Sequence, residues 1–233
     1  MITWGISANS HDAALAVFVD EKLVFASHSE RFSKKKNDRD LCDSLVEYAR
    51  QWGEPQQICW YENPYLKTAR QLFAGQGWKW KDNNIKQYLA RWNIHAPIIN
   101  YNSHHYSHAA GGYYTSQFDN AAILVLDAIG EFETLTIWRA EGTKLTKVYN
   151  KKFPNSVGLF YSAMTQRLGL KPLEDEYILM GMAAYGNPDK FYRHMLVDFV
   201  HRYDEFSFSR YLHRGCLDWS PELPVNDTFD IAA

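Results

Sequence analysis

The sequence predicts an α/β protein, a mixed sheet with crossing helices. Two meanders of short strands, separated by helical stretches, carry that prediction. No internal repeat of about 20–50 residues argues for a solenoid or a propeller instead. The 233 residues suffice for one ordinary domain or two small ones, and 46% apolar residues with 15% aromatics can supply a core.

The first meander is read from ITWGIS (2–7), ALAVFV (14–19) and KLVFASHS (22–29), apolar runs broken by NSHD and DEK. The break at Asp20, Glu21 and Lys22 is short enough for a hairpin, so the second and third strands are expected to pair antiparallel. After a polar, basic connection over 34–40, LCDSLVEYARQW (41–52) sets Leu41, Leu45, Val46 and Ala49 on one helical face. A buried strand is expected over 57–61. The stretch 64–92, rich in Lys, Gln and Trp and interrupted by Gly75 and Gly77, holds helices with no sharp boundaries.

From residue 96 the pattern sharpens. PIINY (97–101) reads as a strand, HHYSHAAGGYYTS (104–116) as a helix, and AAILVLDAIG (121–130) as a strand ending in a turn. FETLTIWRA (132–140) and KLTKVYN (144–150) alternate as two further strands joined around Glu141 and Gly142. Beyond Asn155 the pattern is helical, through VGLFYSAMTQRLGL (157–170), EYILMGMAAYG (176–186) and KFYRHMLVDFVHRY (190–203). The last thirty or so residues read as irregular.

Charge excludes more than it assigns. Lys plus Arg number 25 against 27 Asp plus Glu, so no nucleic-acid footprint and no acidic tail stand out. Cys42, Cys59 and Cys216 are odd in number, far apart and without a CxxC, which suits packing residues in a reducing compartment. MITWGISANSHD has no basic region ahead of a long apolar run, and no stretch approaches about 18 uninterrupted apolar residues. A soluble cytoplasmic protein is expected, with no nucleic-acid or membrane partner.

Three of the nine histidines fall within NSHHYSH (102–108). His104 and His108 share one face of the expected helix, with Cβ atoms about 5–6 Å apart, close enough for two imidazoles to share a divalent metal. His105 is turned away by about 100° and is expected to meet substrate or solvent. Asp127, at the end of ILVLD, is the best candidate for a further ligand, because a carboxylate at the end of a buried strand is aimed and partly desolvated. Such a nitrogen and oxygen set suits iron or zinc. The spacing alone leaves a second reading open, in which the histidines only cap or pack.

GISANSHDAALAVF (5–18), SERFSKKKND (29–38), HHYSHAAGGYYTS, LVLDAIGE (124–131), GLFYSAMTQRLGL (158–170) and EDEYILMGMAAYG (174–186), in that order, resemble the consecutive motifs of the O-carbamoyltransferases that act on nodulation factors and antibiotics. The resemblance covers most of residues 1–190. It implies the first lobe of an actin-like ATPase (ribonuclease H-like) fold in a transfer domain. It also implies that a second domain makes carbamoyl adenylate from carbamoyl phosphate and ATP, and that the transfer domain passes the carbamoyl group to a small-molecule hydroxyl acceptor. His104, His108 and Asp127 become metal ligands by that resemblance, with iron favoured and zinc the alternative. The metal would polarise the carbamoyl carbonyl while the acceptor attacks.

His11 and Asp12 sit in the turn NSHDAA, where the resemblance implies a catalytic pair. Imidazole titrates in the range a general base needs, although a turn-capping pair is the plainer reading of the two residues alone. Arg31 and Lys36, in a basic stretch, could bind phosphate or the acceptor, against the ordinary reading of a solvated run. Asp127 to Glu131 resembles a phosphate-facing turn, which makes Gly130 and Glu131 nucleotide-binding candidates. Ala128 stands where the usual form has Gly, so a left-handed backbone there would be strained. Gly181 and Gly186 could admit a nucleotide or could be helix-packing glycines. Ile178 stands where relatives commonly carry Lys.

FDIAA (229–233) resembles the start of the DIAASVQ helix that leads into the rest of the family's fold. A glycine-rich nucleotide loop, a further aspartate for the metal and the adenylate-forming domain follow it in that family. The expected organisation is therefore a core lobe over about 1–205 and an irregular connection over 206–233 leading toward a second lobe. A separately encoded C-terminal half or a homodimer would complete it. Two other classes stay open: a degenerate metal- or nucleotide-binding module without turnover, and a metallohydrolase using the HxxxH and Asp127.

Overall fold

The structure, a computed structural model, describes residues 1–202, 205–208 and 227–233, with the side chains of these except 194, 197–202, 205 and 206. The chain divides into two compact units, Met1–Tyr114 and Thr115–Ala233.

The first unit is built on a five-stranded sheet in the order β3-β2-β1-β4-β5. Its strands are β1 (Ile2–Ser7), β2 (Ala14–Val19), β3 (Lys22–His28), β4 (Gln57–Trp60) and β5 (Ile98–Tyr101). The hairpin expected at Asp20 and Glu21 pairs β2 with β3 antiparallel, and both residues take positive φ there. β1 is antiparallel to β2, whereas β1, β4 and β5 run parallel. Parallel neighbours need crossovers, and these are supplied by helices. They are α1 (Glu30–Ser33) and α2 (Asp43–Ala49) before β4, then α3 (Pro64–Phe73) and α4 (Ile85–Ala90) before β5.

Alternation decides which sheet face is filled. Trp4 pairs with Val17 and Ile58, and Ile6 with Leu15 and Trp60, and all six side chains are buried in one cluster. Leu45, Val46 and Ala49 of α2, as the periodicity predicts, and Ile85, Tyr88 and Leu89 of α4 join that cluster. At about 25 cal/mol per Å² of apolar surface removed from water, this contiguous cluster is the main stabilising feature of the unit. Cys42 packs against it from outside, while burial pushes the Cys59 thiol up from its ordinary value. Cys216 lies outside the described residues.

α5 (His104–Tyr114) closes the first unit, and the second opens with the antiparallel meander β6 (Asn120–Leu126), β7 (Glu133–Glu141) and β8 (Lys144–Lys152). Helices α6 (Val157–Arg167) and α7 (Glu176–Ala183) follow, as expected, and Ala163, Met164 and Leu179 bury between them. The long helix expected over 190–203 is shorter: α8 (Tyr192–Asp198) gives way to β9 (Phe199–Arg202), which pairs with β10 (Glu205–Phe208). Phe199 and Val200, an aromatic and a β-branched residue in sequence, have a higher strand than helix preference. The end is also less irregular than expected, because α9 (Thr228–Ala232) is helical; the remainder of that expectation lies outside the described residues.

No helix among the described residues is long and apolar enough to cross a membrane.

Candidate metal centre

The parallel strands set the site. Because β1, β4 and β5 point the same way, the segments leaving their C-terminal ends emerge on one edge of the sheet, where α/β proteins commonly bind ligands. His11 and Asp12 follow β1, Tyr61 follows β4, and α5 follows β5.

Local bonds fix α5. The Ser103 hydroxyl accepts from the Tyr106 N–H at 3.3 Å, and Ser107 Oγ donates to the Tyr61 carbonyl at 2.7 Å. The helix is thereby tied to the end of β4. His104 also meets the Tyr61 ring edge-on, with centroids 5.5 Å apart. On the next turn His108 Nε2 lies 3.0 Å from His104 Nε2.

That separation passes a geometric test for a shared ion. Nitrogens bound at about 2.0–2.1 Å stand about 2.9–3.4 Å apart when they are neighbours around an octahedral or tetrahedral ion. Two imidazoles converging from one helix face, as His104 and His108 do, are a donor pair that can share a metal ion. His105 corrects an expectation. It is fully buried, so the rotation that separates it from the pair turns it into packed protein and away from solvent.

Asp127 caps the end of β6 in the second unit. Its N–H donates to the Thr134 carbonyl at 3.1 Å, and its Oδ1 accepts from the Ala128 N–H at 2.7 Å. Gly130 N–H closes the same turn on the Glu133 carbonyl at 2.9 Å. Neither Ala128 nor Gly130 is among the positive-φ residues, so the strain anticipated at Ala128 does not arise. Gly130 and Glu131 are buried.

Other predicted residues are spread more widely. His11 Nδ1 is 3.0 Å from Asp12 Oδ2 in an exposed turn, where Asp12 takes φ +48°. Backbone bonds hold that turn: Asn9 N–H donates to Arg39 O and Ala13 N–H to Asp38 O. Arg31 is exposed and lies 3.8 Å from Glu30; Lys36 is exposed as well. Gly181 is exposed on α7, with nothing within 4 Å of the position a Cβ would take. Gly186 is a packing glycine, because a Cβ there would lie 2.0 Å from the Phe229 carbonyl oxygen.

Sequence reasoning missed two features. One is a cleft of about 640 Å³ in the first unit, lined by Gly5, Ala16, His28, Cys59, Tyr61 and Tyr106 among others. The signal was present in Gly5, Ala14 and Ala16, where small residues leave one sheet face low. The other is the Ser156-Val157-Gly158 start of α6, which meets the Asp127 turn.

A family model for the carbamoyltransferase N-terminus matches residues 61–227, well over half of the chain. The chain belongs to that family. An uncharacterized protein of Synechocystis sp. is 35% identical over 212 residues, covering 79% of this chain and 34% of the relative. The nodulation protein NolNO of Sinorhizobium fredii is 25% identical over 218 residues, covering 88% of this chain and 32% of the relative. This carbamoyltransferase N-terminal chain thus spans about a third of the length of the curated relatives it matches. Among solved structures, an Aquifex aeolicus Ppx/GppA enzyme overlaps 81% of this chain and 65% of its own at 10% identity and a TM-score of 0.39, too loosely to carry an argument.

Proposed function

We propose that this chain is the N-terminal part of an O-carbamoyltransferase, the first lobe of an actin-like transfer domain with its core over about residues 1–205. In this reading His104, His108 and Asp127 hold a divalent ion, iron by preference and zinc as the alternative. The observation that carries the reading is the convergence of His104 and His108 Nε2 at 3.0 Å inside the region matched to the carbamoyltransferase family.

A bound divalent ion supplies Lewis-acid polarisation of the carbamoyl carbonyl of carbamoyl adenylate. His11 is the general base. Its contact with Asp12 keeps a proton on Nδ1 and leaves the Nε2 lone pair for the acceptor hydroxyl's proton. The acceptor oxygen bonds to the carbamoyl carbon, the bond from that carbon to the phosphate oxygen breaks, and AMP leaves. Arg31 and Lys36 are exposed cations suited to the phosphate or the acceptor, and Gly181 offers an open backbone to the nucleotide. Gly130 and Glu131, being buried, shape the Asp127 turn, and His105 packs.

Leu173, Tyr177, Met180 and Tyr185 are all exposed in the second unit and support pairing with a separately encoded C-terminal half or a second copy. Light scattering across a dilution series, with and without that half, reads this directly.

The reading is tested by equilibrium binding of a non-hydrolysable carbamoyl-adenylate analogue with Fe²⁺ or Zn²⁺ present. Metal-dependent binding, abolished by His104→Ala with His108→Ala, is expected. Binding that ignores both the metal and the histidines sinks it. The 233-residue chain given carbamoyl phosphate and ATP is expected to release no pyrophosphate above background.

A further inference from the structure

The start of α6 holds the Asp127 turn from two sides. Ser156, fully buried, caps the helix by accepting from the Leu159 N–H at 3.0 Å. Its hydroxyl proton points the other way, with the Ala128 carbonyl at 2.7 Å and the Asp127 carbonyl at 3.2 Å. Two residues on, a Cβ at Gly158 would lie 2.6 Å from the Ala128 nitrogen and 2.7 Å from the Asp127 carbonyl carbon. Only glycine lets the helix approach the Asp127–Ala128 peptide so closely.

These contacts converge on the two peptide groups that flank Ala128. The Ala128 N–H donates to Asp127 Oδ1 at 2.7 Å, so the plane of that peptide sets the direction of the carboxylate. Ser156 grips the carbonyls on either side of the Ala128 residue, and Gly158 lies against its nitrogen. A shift of the peptide would carry the carboxylate with it. Capping α6 requires only an acceptor; it does not require a donor aimed at the Ala128 carbonyl.

We infer that Ser156 and Gly158 are positioning residues for Asp127, acting on metal binding through the Ala128 peptide. The inference rests on the assignment of Asp127 as a metal ligand. Groups that orient ligands typically change metal affinity by about 10–100-fold when removed.

The test is a titration of the 233-residue chain with Co²⁺, whose visible d–d absorption reports the ligand set, alongside thermal unfolding of each variant. Ser156→Ala and Gly158→Ala are each expected to weaken Co²⁺ binding about tenfold or more and to alter the absorption. Ser156→Thr, which keeps the hydroxyl, is expected to restore affinity toward the parent value. Val157→Ala, on the same turn but partly exposed, is expected to change neither. If Ser156→Ala fails to fold, Gly158→Ala decides. Parent affinity and spectrum in folded Ser156→Ala or Gly158→Ala, with loss in Asp127→Asn, overturns the positioning role and leaves the ligand assignment standing. No loss in Asp127→Asn overturns both.

Discussion

His104 Nε2 and His108 Nε2 face each other at 3.0 Å across one turn of α5. Without an ion, the contact is a hydrogen bond needing one N–H and one lone pair. With an ion, both nitrogens turn lone pairs inward. Elemental analysis of untagged protein is therefore expected to find about one divalent ion per chain, falling to background in His104→Ala with His108→Ala. Protons compete for the same lone pairs, so metal content is expected to fall on acidification. Unchanged metal content in the double variant would rule out the pair as ligands.

Gly186 and Gly181 lie five residues apart yet should respond oppositely to alanine. At Gly186 the new Cβ meets the Phe229 carbonyl at 2.0 Å, and overpacking of that kind costs about 1–3 kcal/mol. The effect should concentrate on α9, which Lys190 also holds through Asp227 and Asp230, and hydrogen exchange over 228–232 would register it. Gly181→Ala meets nothing and gains helix propensity, about 0.8–1 kcal/mol, while weakening nucleotide binding if that glycine contacts it. Equal effects at both positions would contradict the packing argument.

Glu62 and Lys67 form a buried ion pair at 2.5 Å, with side chains 8% and 11% exposed. Removing one partner strands the other charge, so Glu62→Gln is expected to cost about 3–5 kcal/mol in urea unfolding. Glu62→Leu with Lys67→Met should recover most of that loss. A double variant as unstable as the single one would show that the pair does more than neutralise itself.

Acid should loosen the loop that carries His11. Burial pushes the Asp38 carboxyl up, but hydrogen bonds from Ser33 and the Asp40 N–H, and the Lys35 charge, outweigh it and hold the group below its ordinary value. A depressed folded value means that the contribution is present above the unfolded value and lost as pH falls through the folded one. Parent stability is thus expected to drop more steeply than that of Asp38→Asn as pH falls below about 4, the two converging in acid. Parallel pH profiles would remove Asp38 from the account.

Much of the site lay in plain view along the chain because its spacing is local. His104 and His108 are joined by helical geometry alone, and Asp127 ends an apolar run whose strand character is written in its own residues. A ligand role for them is what the resemblance implies, since spacing cannot distinguish a ligand pair from a packed one. His105 could not be assigned from rotation about the helix, because burial depends on what packs against that face.

Strands β1 to β8, most helices, the hairpin at Asp20 and Glu21, and the family are legible in the chain itself, since periods of 2 and about 3.6 residues and ordered motifs are properties of neighbouring residues; β9 and β10 are not. That β1, β4 and β5 run parallel, bringing the His11 turn and α5 to one sheet edge, follows from packing between distant segments. Tertiary packing likewise makes Gly158 a glycine for Ala128 and Gly186 one for Phe229. Those needs arise between segments 30 and 43 residues apart, and no local pattern records a missing Cβ that some distant backbone requires.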